Sequence, residues 1–320
     1  MGVFADTRGY VSETWQAWNK FWFQSVDPAT LCLLRLLAGT LIFYTHLVWS
    51  LDLQAFLGPE GWLPVEYVRQ VQGNQWSVQS IFFYIKPVWL LWTVHIIALL
   101  VFFCFMIGLF SRTMAVLAFL FAVSYAHRVS PGAFFGLDKA NCMLALYIML
   151  GPCGARYSID SLRRSRRGIT TPVAPSTAAN LAIRLLQVHL CIIYFFTGMA
   201  KVIGETWPAG TAVWWAVAIP EYRSIDMTWL ANWPVLVALA THATVFWELS
   251  YWALVWNRFT RPLVLWMAFF VHGGIALVMG MITFGVGMII ANLAFLRPQT
   301  VHRWFDPIAG RFARLLGAGK

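Results

Sequence analysis

The run Cys191-Ile-Ile-Tyr-Phe-Phe-Thr-Gly-Met-Ala-Lys201 ends a long apolar stretch on an amine, in a chain that otherwise keeps its charges out of such stretches. An ammonium at mid-membrane costs roughly 2.5–3.5 kcal/mol, and the cost shrinks toward the interface. Two readings of Lys201 follow: an anchor that snorkels to the membrane surface, or a functional amine. Glu205, Trp207, Pro208 and Gly210 come next, an aromatic turn expected to fold over the amine and exclude water. The chemistry expected of an amine desolvated in this way is general-base proton abstraction. Further polar candidates are Arg128, Asp138, Lys139 and Asn141 at the mouth of a later-defined fourth span, and Glu248 and His272, two deeper groups able to bond to each other.

Other chemistries find less support. His46, His95, His127 and His242 map to the outer half of their apolar segments, and histidines within such segments raise the idea of a haem held by two of them, but no pair has a spacing that recommends it. Hydrogen bonds between helices account for such histidines. The five cysteines, Cys32, Cys104, Cys142, Cys153 and Cys191, lie mostly inside apolar stretches without C-x-x-C spacing, so neither a disulfide framework nor a zinc site is expected. The chain has no phosphate-binding glycine loop, no Ser-His-Asp order and no H-E-x-x-H; no metal is expected.

The elements that must position these groups are membrane helices. The chain has 320 residues, of which 60% are hydrophobic and 11% charged, and its mean hydropathy is positive. Such a composition belongs to a polytopic membrane protein rather than a soluble globule. Eighteen Trp and ten Tyr exceed what a core needs and fit aromatic belts at the two membrane surfaces. The net charge of +10 sits in short segments between apolar runs, which argues for positive-inside topology and against a nucleic-acid partner.

The expected architecture is all-α: a polytopic transmembrane bundle of about eight spans with interfacial helices and aromatic-rich outer loops. Residues 10–26 carry Trp15, Trp18, Phe21, Trp22 and Phe23 on one face, as in a helix lying in the interface, so 1–26 reads as a cytoplasmic interfacial segment. Met1 to Lys20 is polar and unlike a cleavable signal, so the first span is expected to direct insertion. Asp27-Pro28 opens a span over about 29–50. A loop with short helices follows to about 87, then spans near 88–110, 112–128 and a short 139–152. The arginine- and proline-rich stretch from Arg156 to Ser176 divides the bundle into halves. Spans near 179–203, 233–256, 262–281 and 282–297 complete it; the last two meet in a glycine-rich hairpin, and a basic tail occupies 301–320.

On this topology fifteen basic residues fall on the side of the termini and five on the other, which places both termini in the cytoplasm and Lys201 near the outer end of its span. Arg35 and Arg184 come near cytoplasmic span ends, where snorkelling is expected. A polar pocket roofed by aromatic loops is expected on the outer side.

One stretch also resembles a known family. Arg184-Leu-Leu-Gln-Val-His-Leu-Cys-Ile-Ile-Tyr194-Phe-Phe-Thr-Gly198-Met-Ala-Lys201, continuing to Trp207 and Gly210, is similar to the signature of vitamin K-dependent γ-glutamyl carboxylases and of the wider HTTM (horizontally transferred transmembrane) proteins of bacteria. Leu137-Asp138-Lys139 with Asn141, Tyr157-Ser158-Ile159-Asp160, Glu248-Leu-Ser250, Arg258 and Phe270-Val-His272 extend the resemblance over about residues 27–300. It implies a bacterial inner-membrane protein in which Lys201 is the base that deprotonates a reduced quinone of vitamin K or menaquinone type. Asp138, Lys139, Asn141, Cys142, Tyr194, Trp207, Glu248 and His272 then belong to the pocket or its support. Cys142 departs from the pattern, since the carboxylases carry a catalytic histidine at that position. Nothing up to Lys320 corresponds to their lumenal propeptide-docking domain, so a peptide substrate is expected to be held by the loops or by a partner protein. The alternative is a non-enzymatic accessory protein for maturation or export of a secreted peptide.

Overall fold

The computed structural model describes residues 2–72, 78–130, 132, 135–169, 171–221 and 223–315. Among these the chain is all-helical, without strands. The helices are α1 (Gly2–Phe23), α2 (Ala29–Val48), α3 (Leu53–Leu57), α4 (Val65–Val71), α5 (Val88–Ile107), α6 (Ser111–Val129), α7 (Gly136–Met149), α8 (Ile159–Arg166), α9 (Thr177–Ile203), α10 (Ala212–Ala218), α11 (Pro234–Leu254), α12 (Arg261–Val278), α13 (Ile282–Asn292) and α14 (Pro298–Leu315). Four segments, 29–51, 88–107, 177–203 and 261–278, are long and apolar enough to cross a membrane, and a fifth counts if 282–295 and 298–311 are taken as one bent pair. The helical, membrane-type architecture expected from composition is therefore present. Length and apolarity do not by themselves give eight spans: the 14 residues of α7 rise only about 21 Å, against a hydrocarbon core of about 30 Å.

The helices form two compact units, 1–185 with 296–320, and 186–295. The first unit holds α1–α8, the first turns of α9, and α14. Its centre is Arg35, in the second turn of α2. Rather than snorkelling, this residue is fully buried. Its guanidinium donates from Nη1 to the carbonyls of Phe105 (3.0 Å) and Met106 (2.7 Å), from Nε to Cys153 (3.1 Å), and from Nη2 to Tyr157. Phe105 and Met106 close α5, where the last carbonyls have no partner within the helix; the planar fork of arginine satisfies them together with two loop carbonyls. Gly108 makes this approach feasible. Its φ is +69°, and a Cβ there would lie 2.5 Å from Arg35 Nη1, a conformation and a space that only glycine tolerates.

Beside this knot the connecting segments are tied by side chains. The Asp160 carboxylate accepts from the Ser111 backbone N–H and hydroxyl, both at 2.7 Å, and from the Phe110 N–H, capping the start of α6. Asp27 caps α2 by accepting from the Ala29 N–H at 2.8 Å, and it takes two bonds from Arg156. The start of the expected basic tail is docked rather than loose: Val301 of α14 is buried with Ala29 and Leu33, and Tyr157 donates to Asp306 at 2.6 Å. Residues 316–320 lie outside the described residues. Of the aromatic face expected on α1, Trp15, Trp18 and Phe23 are exposed, whereas Phe21 and Trp22 are half-buried. Arg184, in the part of α9 that belongs to this unit, lies over the Phe21 ring at 4.3 Å.

The second unit comprises the rest of α9 with α10–α13. α12 and α13 form the expected glycine-bearing hairpin, and Gly285 sets its closeness: a Cβ there would stand 2.4 Å from the His272 carbonyl oxygen.

Replacing Arg35 by Met is expected to remove the guanidinium donors of four carbonyls, of which Phe105 still accepts from the Gly108 N–H, and to cost about 1–3 kcal/mol for each buried acceptor left unmet. Arg35→Lys should fail to restore stability because one ammonium cannot reach all four oxygens. Thermal unfolding in detergent tests this; wild-type midpoints for both variants would refute the hub role. The Asp27 site gives a pH dependence. Burial raises its pKa, but the Arg156 hydrogen bond and charge and the Ala29 N–H outweigh that and hold it below the ordinary aspartate value. A depressed carboxylate stabilises the fold above its unfolded pKa, and that contribution is lost as pH falls through the folded value. Asp27→Asn should therefore be less stable than wild type at neutral pH, with the gap closing as the solution is acidified below about pH 4.

Candidate functional site

The second unit brings together five of the expected site residues. α9 carries Tyr194 and Lys201 seven positions apart, two turns along one face, and α11 presents Glu248 to the same face. Lys201 Nζ donates to both carboxylate oxygens of Glu248, at 2.9 and 2.7 Å. The pair is largely withdrawn from solvent, with 21% of the lysine and 9% of the glutamate side chain exposed. The amine, for which the sequence named no partner, thus has a carboxylate, and a charge so withdrawn from solvent would cost several kcal/mol unpaired. Glu248 is engaged here, and His272 bonds elsewhere, so the expected Glu248–His272 pair does not form.

The aromatic turn lies over the amine as its composition predicts. Residues 205–211 are closed by backbone bonds from Ala209 to Glu205, from Gly210 to Trp207 and from Thr211 to Thr206. This turn sets the Trp207 ring centroid 5.0 Å from Lys201 Nζ, within cation–π range. Gly210 and Thr211, on the same turn, line a mainly apolar cavity of about 580 Å³ whose other walls include Trp214, Leu230, Pro234 and Val237. That volume lies within the range of ligand pockets. The imidazole of His242 stands behind Gly210, with Nε2 3.1 Å from where a Cβ would be.

A buried polar chain joins α9, α11, α12 and α13. Tyr194 and His272 share a hydrogen bond of 2.7 Å between the phenol oxygen and Nε2. Asn292 Nδ2 donates to the same phenol oxygen at 2.8 Å, and the Tyr251 hydroxyl donates to Asn292 Oδ1 at 2.6 Å. Every member is at least nine-tenths buried. Tyr251 and Asn292 escaped sequence reading. Asn292 had a signal, an amide at the end of an apolar helix, but Tyr251 looks like any aromatic of a membrane segment, and their pairing across 41 positions leaves no local trace.

The remaining expected residues belong to α7 of the first unit. Asp138 accepts from the Phe135 N–H at 2.9 Å and so caps the helix. Lys139 is exposed and Cys142 half-buried. Asn141 is buried to 1% exposure, with no hydrogen bond to either amide atom. The buried histidines of this unit act as links: His95 bonds Tyr125 at 2.6 Å and Ser50 at 2.8 Å, while His46 bonds the Ile42 carbonyl. No group of three or more His, Cys, Asp or Glu side chains arranged to hold a metal occurs among the described residues. Compared with protein-family models, characterised proteins and solved structures, the chain finds no match.

Removing one partner of the Lys201–Glu248 pair strands a buried charge, whereas removing both does not. Lys201→Met is expected to cost about 3 kcal/mol, and Lys201→Met with Glu248→Gln to recover a large part of that. Unfolding midpoints of the two single variants and the double variant measure the coupling; strictly additive losses would mean that the two side chains do not interact.

Proposed function

We propose that this chain is a multi-pass inner-membrane protein of the HTTM, γ-carboxylase-like kind, with about eight spans and both termini cytoplasmic, and that it oxygenates a lipid-soluble quinol with Lys201 as the base. The observation that carries the reading is an amine at the end of an apolar helix, held bidentately by Glu248 and faced by Trp207. The pair shares one mobile proton. With that proton on Glu248, Lys201 is a neutral amine able to take a quinol hydroxyl proton. The ammonium so formed donates to a Glu248 carboxyl oxygen and lies against the indole face, and its attraction to the indole and to the quinolate grows as charge develops on the amine.

Deprotonation makes the quinol ring electron-rich enough to react with oxygen. One oxygen atom enters the ring as an epoxide and the other leaves as water, with the quinol supplying both hydrogens and the electrons. The apolar cavity beside the Trp207 turn offers room for a ring or an isoprenoid chain. The proposal ends at the quinol, because Cys142 stands where the carboxylases carry histidine. A glutamyl peptide as second substrate is therefore not assigned.

A second reading, the accessory membrane protein, draws on the same pair. Lys201 and Glu248 satisfy each other, as two residues of a structural brace would. Incubating wild-type and Lys201→Met proteins with reduced menaquinone and oxygen, followed by mass spectrometry, separates the two. Epoxide formed by wild type and reduced at least a hundredfold in the variant, a typical loss for a general base, is the expected result. Equal product from both proteins, or none from folded wild type that binds the quinol, would sink the enzymatic reading in favour of the accessory one.

A further inference from the structure

α2 and α5 both belong to segments long and apolar enough to cross a membrane, and Arg35, near the start of one, bonds carbonyls at the end of the other. This end of the first unit therefore lies at a membrane surface, and α14 is docked on it. Val301 packs with Ala29 and Leu33, and Phe305, one turn on, packs against the same cluster, so that face of the helix is occupied. The neighbouring face is apolar and open. Trp304 and Ile308, four positions apart and so aligned along the helix, are 56% and 50% exposed. Arg311 continues their stripe by one turn, while Arg303 and Arg314 share the stripe beside it, all three exposed.

Charge at this end is divided between inside and outside. The carboxylates that tie it together are turned to protein partners: Asp27 accepts from Arg156 and the Ala29 N–H, Asp160 from Ser111 and the Phe110 N–H, and Asp306 from Tyr157, with His302 bonded to its second oxygen. The arginines point outward. Arg112, beside the Asp160 cap, and Arg163, over the Phe110 ring at 5.7 Å, are exposed. Among the described residues neither these two nor Arg303, Arg311 and Arg314 enter a salt bridge. Exposed Trp and Ile beside arginines that have no counter-charge, at a membrane surface, suit a helix lying among lipid headgroups. The apolar flank reaches the acyl boundary, and each guanidinium fork matches a pair of phosphate oxygens.

We propose that the exposed flank of α14, with Arg112 and Arg163 beside it, is a docking surface for the headgroups of anionic phospholipid. A soluble phosphate compound offers the same acceptor oxygens but has no chains to cover Trp304 and Ile308, so the apolar flank selects lipid. Nothing in this contact depends on the quinol reaction.

The full chain in neutral detergent is mixed with equal amounts of palmitoyl-oleoyl phosphatidylglycerol and phosphatidylcholine, and the lipid that co-elutes in size-exclusion chromatography is quantified by mass spectrometry. Wild type is expected to retain phosphatidylglycerol preferentially, and to lose that preference as the Debye length shrinks from about 10 Å to about 3 Å between roughly 0.1 and 1 M salt. Arg303→Gln, Arg311→Gln and Arg314→Gln combined should lower the preference about a hundredfold, since one arginine near an anionic surface is worth about fivefold. The corresponding three Lys replacements keep the charge and should keep the preference; they also hold the test open if the Gln variant fails to fold. Trp304→Ala with Ile308→Ala should reduce the total lipid retained. An unchanged preference in the folded Gln variant overturns the proposal, as does a folded Lys variant that loses it or a wild-type preference indifferent to salt. Displacement of the lipid by an equal concentration of glycerophosphoglycerol, the headgroup without its chains, would also overturn it and assign the arginines to a soluble phosphate compound.

Discussion

Polar groups withdrawn from water must find their partners inside the protein, and this chain is organised around that requirement. Most of its surface is apolar helix that needs no partner beyond its own backbone. Several of the exceptions are answered by a specific side chain. Arg35 supplies donors to the carbonyls that end α5 and to those of the following loop, Asp160 supplies an acceptor to the N–H groups that start α6, and Glu248 supplies a counter-charge to Lys201. Without these groups the helix ends and the amine would carry unpaired polarity, each at a cost comparable to a large fraction of a domain's net stability.

The same requirement separates polar groups that are fully matched within the protein from those that are not. Arg35 is spent: each of its three nitrogens bonds a backbone oxygen. The Tyr251–Asn292–Tyr194 segment is likewise closed, every hydrogen in it directed to a protein atom. His272 is different because its Nδ1 meets no hydrogen-bond partner among the described residues. Lys201 is intermediate, satisfied by Glu248 yet placed under Trp207 on the turn that also walls the apolar cavity.

Sequence carried the architecture further than the site. Apolar segments near 29–50, 88–110 and 179–203 appear as α2, α5 and α9 within a few residues, because a helix in hydrocarbon is dictated by local composition and needs no distant contact. The fourth segment was legible as short, and α7 starts at Gly136, three residues earlier than its apolar run, because Asp138 caps the backbone there. Gly280 and Gly285 marked the α12–α13 hairpin. Lys201 and its aromatic turn stood out because a charge at the end of an apolar run is conspicuous in one dimension.

By itself, then, the sequence determined the class of the protein, the helices, the conspicuous amine and the turn above it, all properties of residues near one another in the chain. Only the tertiary structure decided that Arg35 is a buried hub rather than a surface anchor, that Glu248 belongs to Lys201, and that His272 belongs to Tyr194. These pairings join positions 47 to 122 residues apart. A hydrogen bond acts over about 3 Å, and which groups come within that distance is set by how helices pack, a relation that no local pattern of residue types encodes.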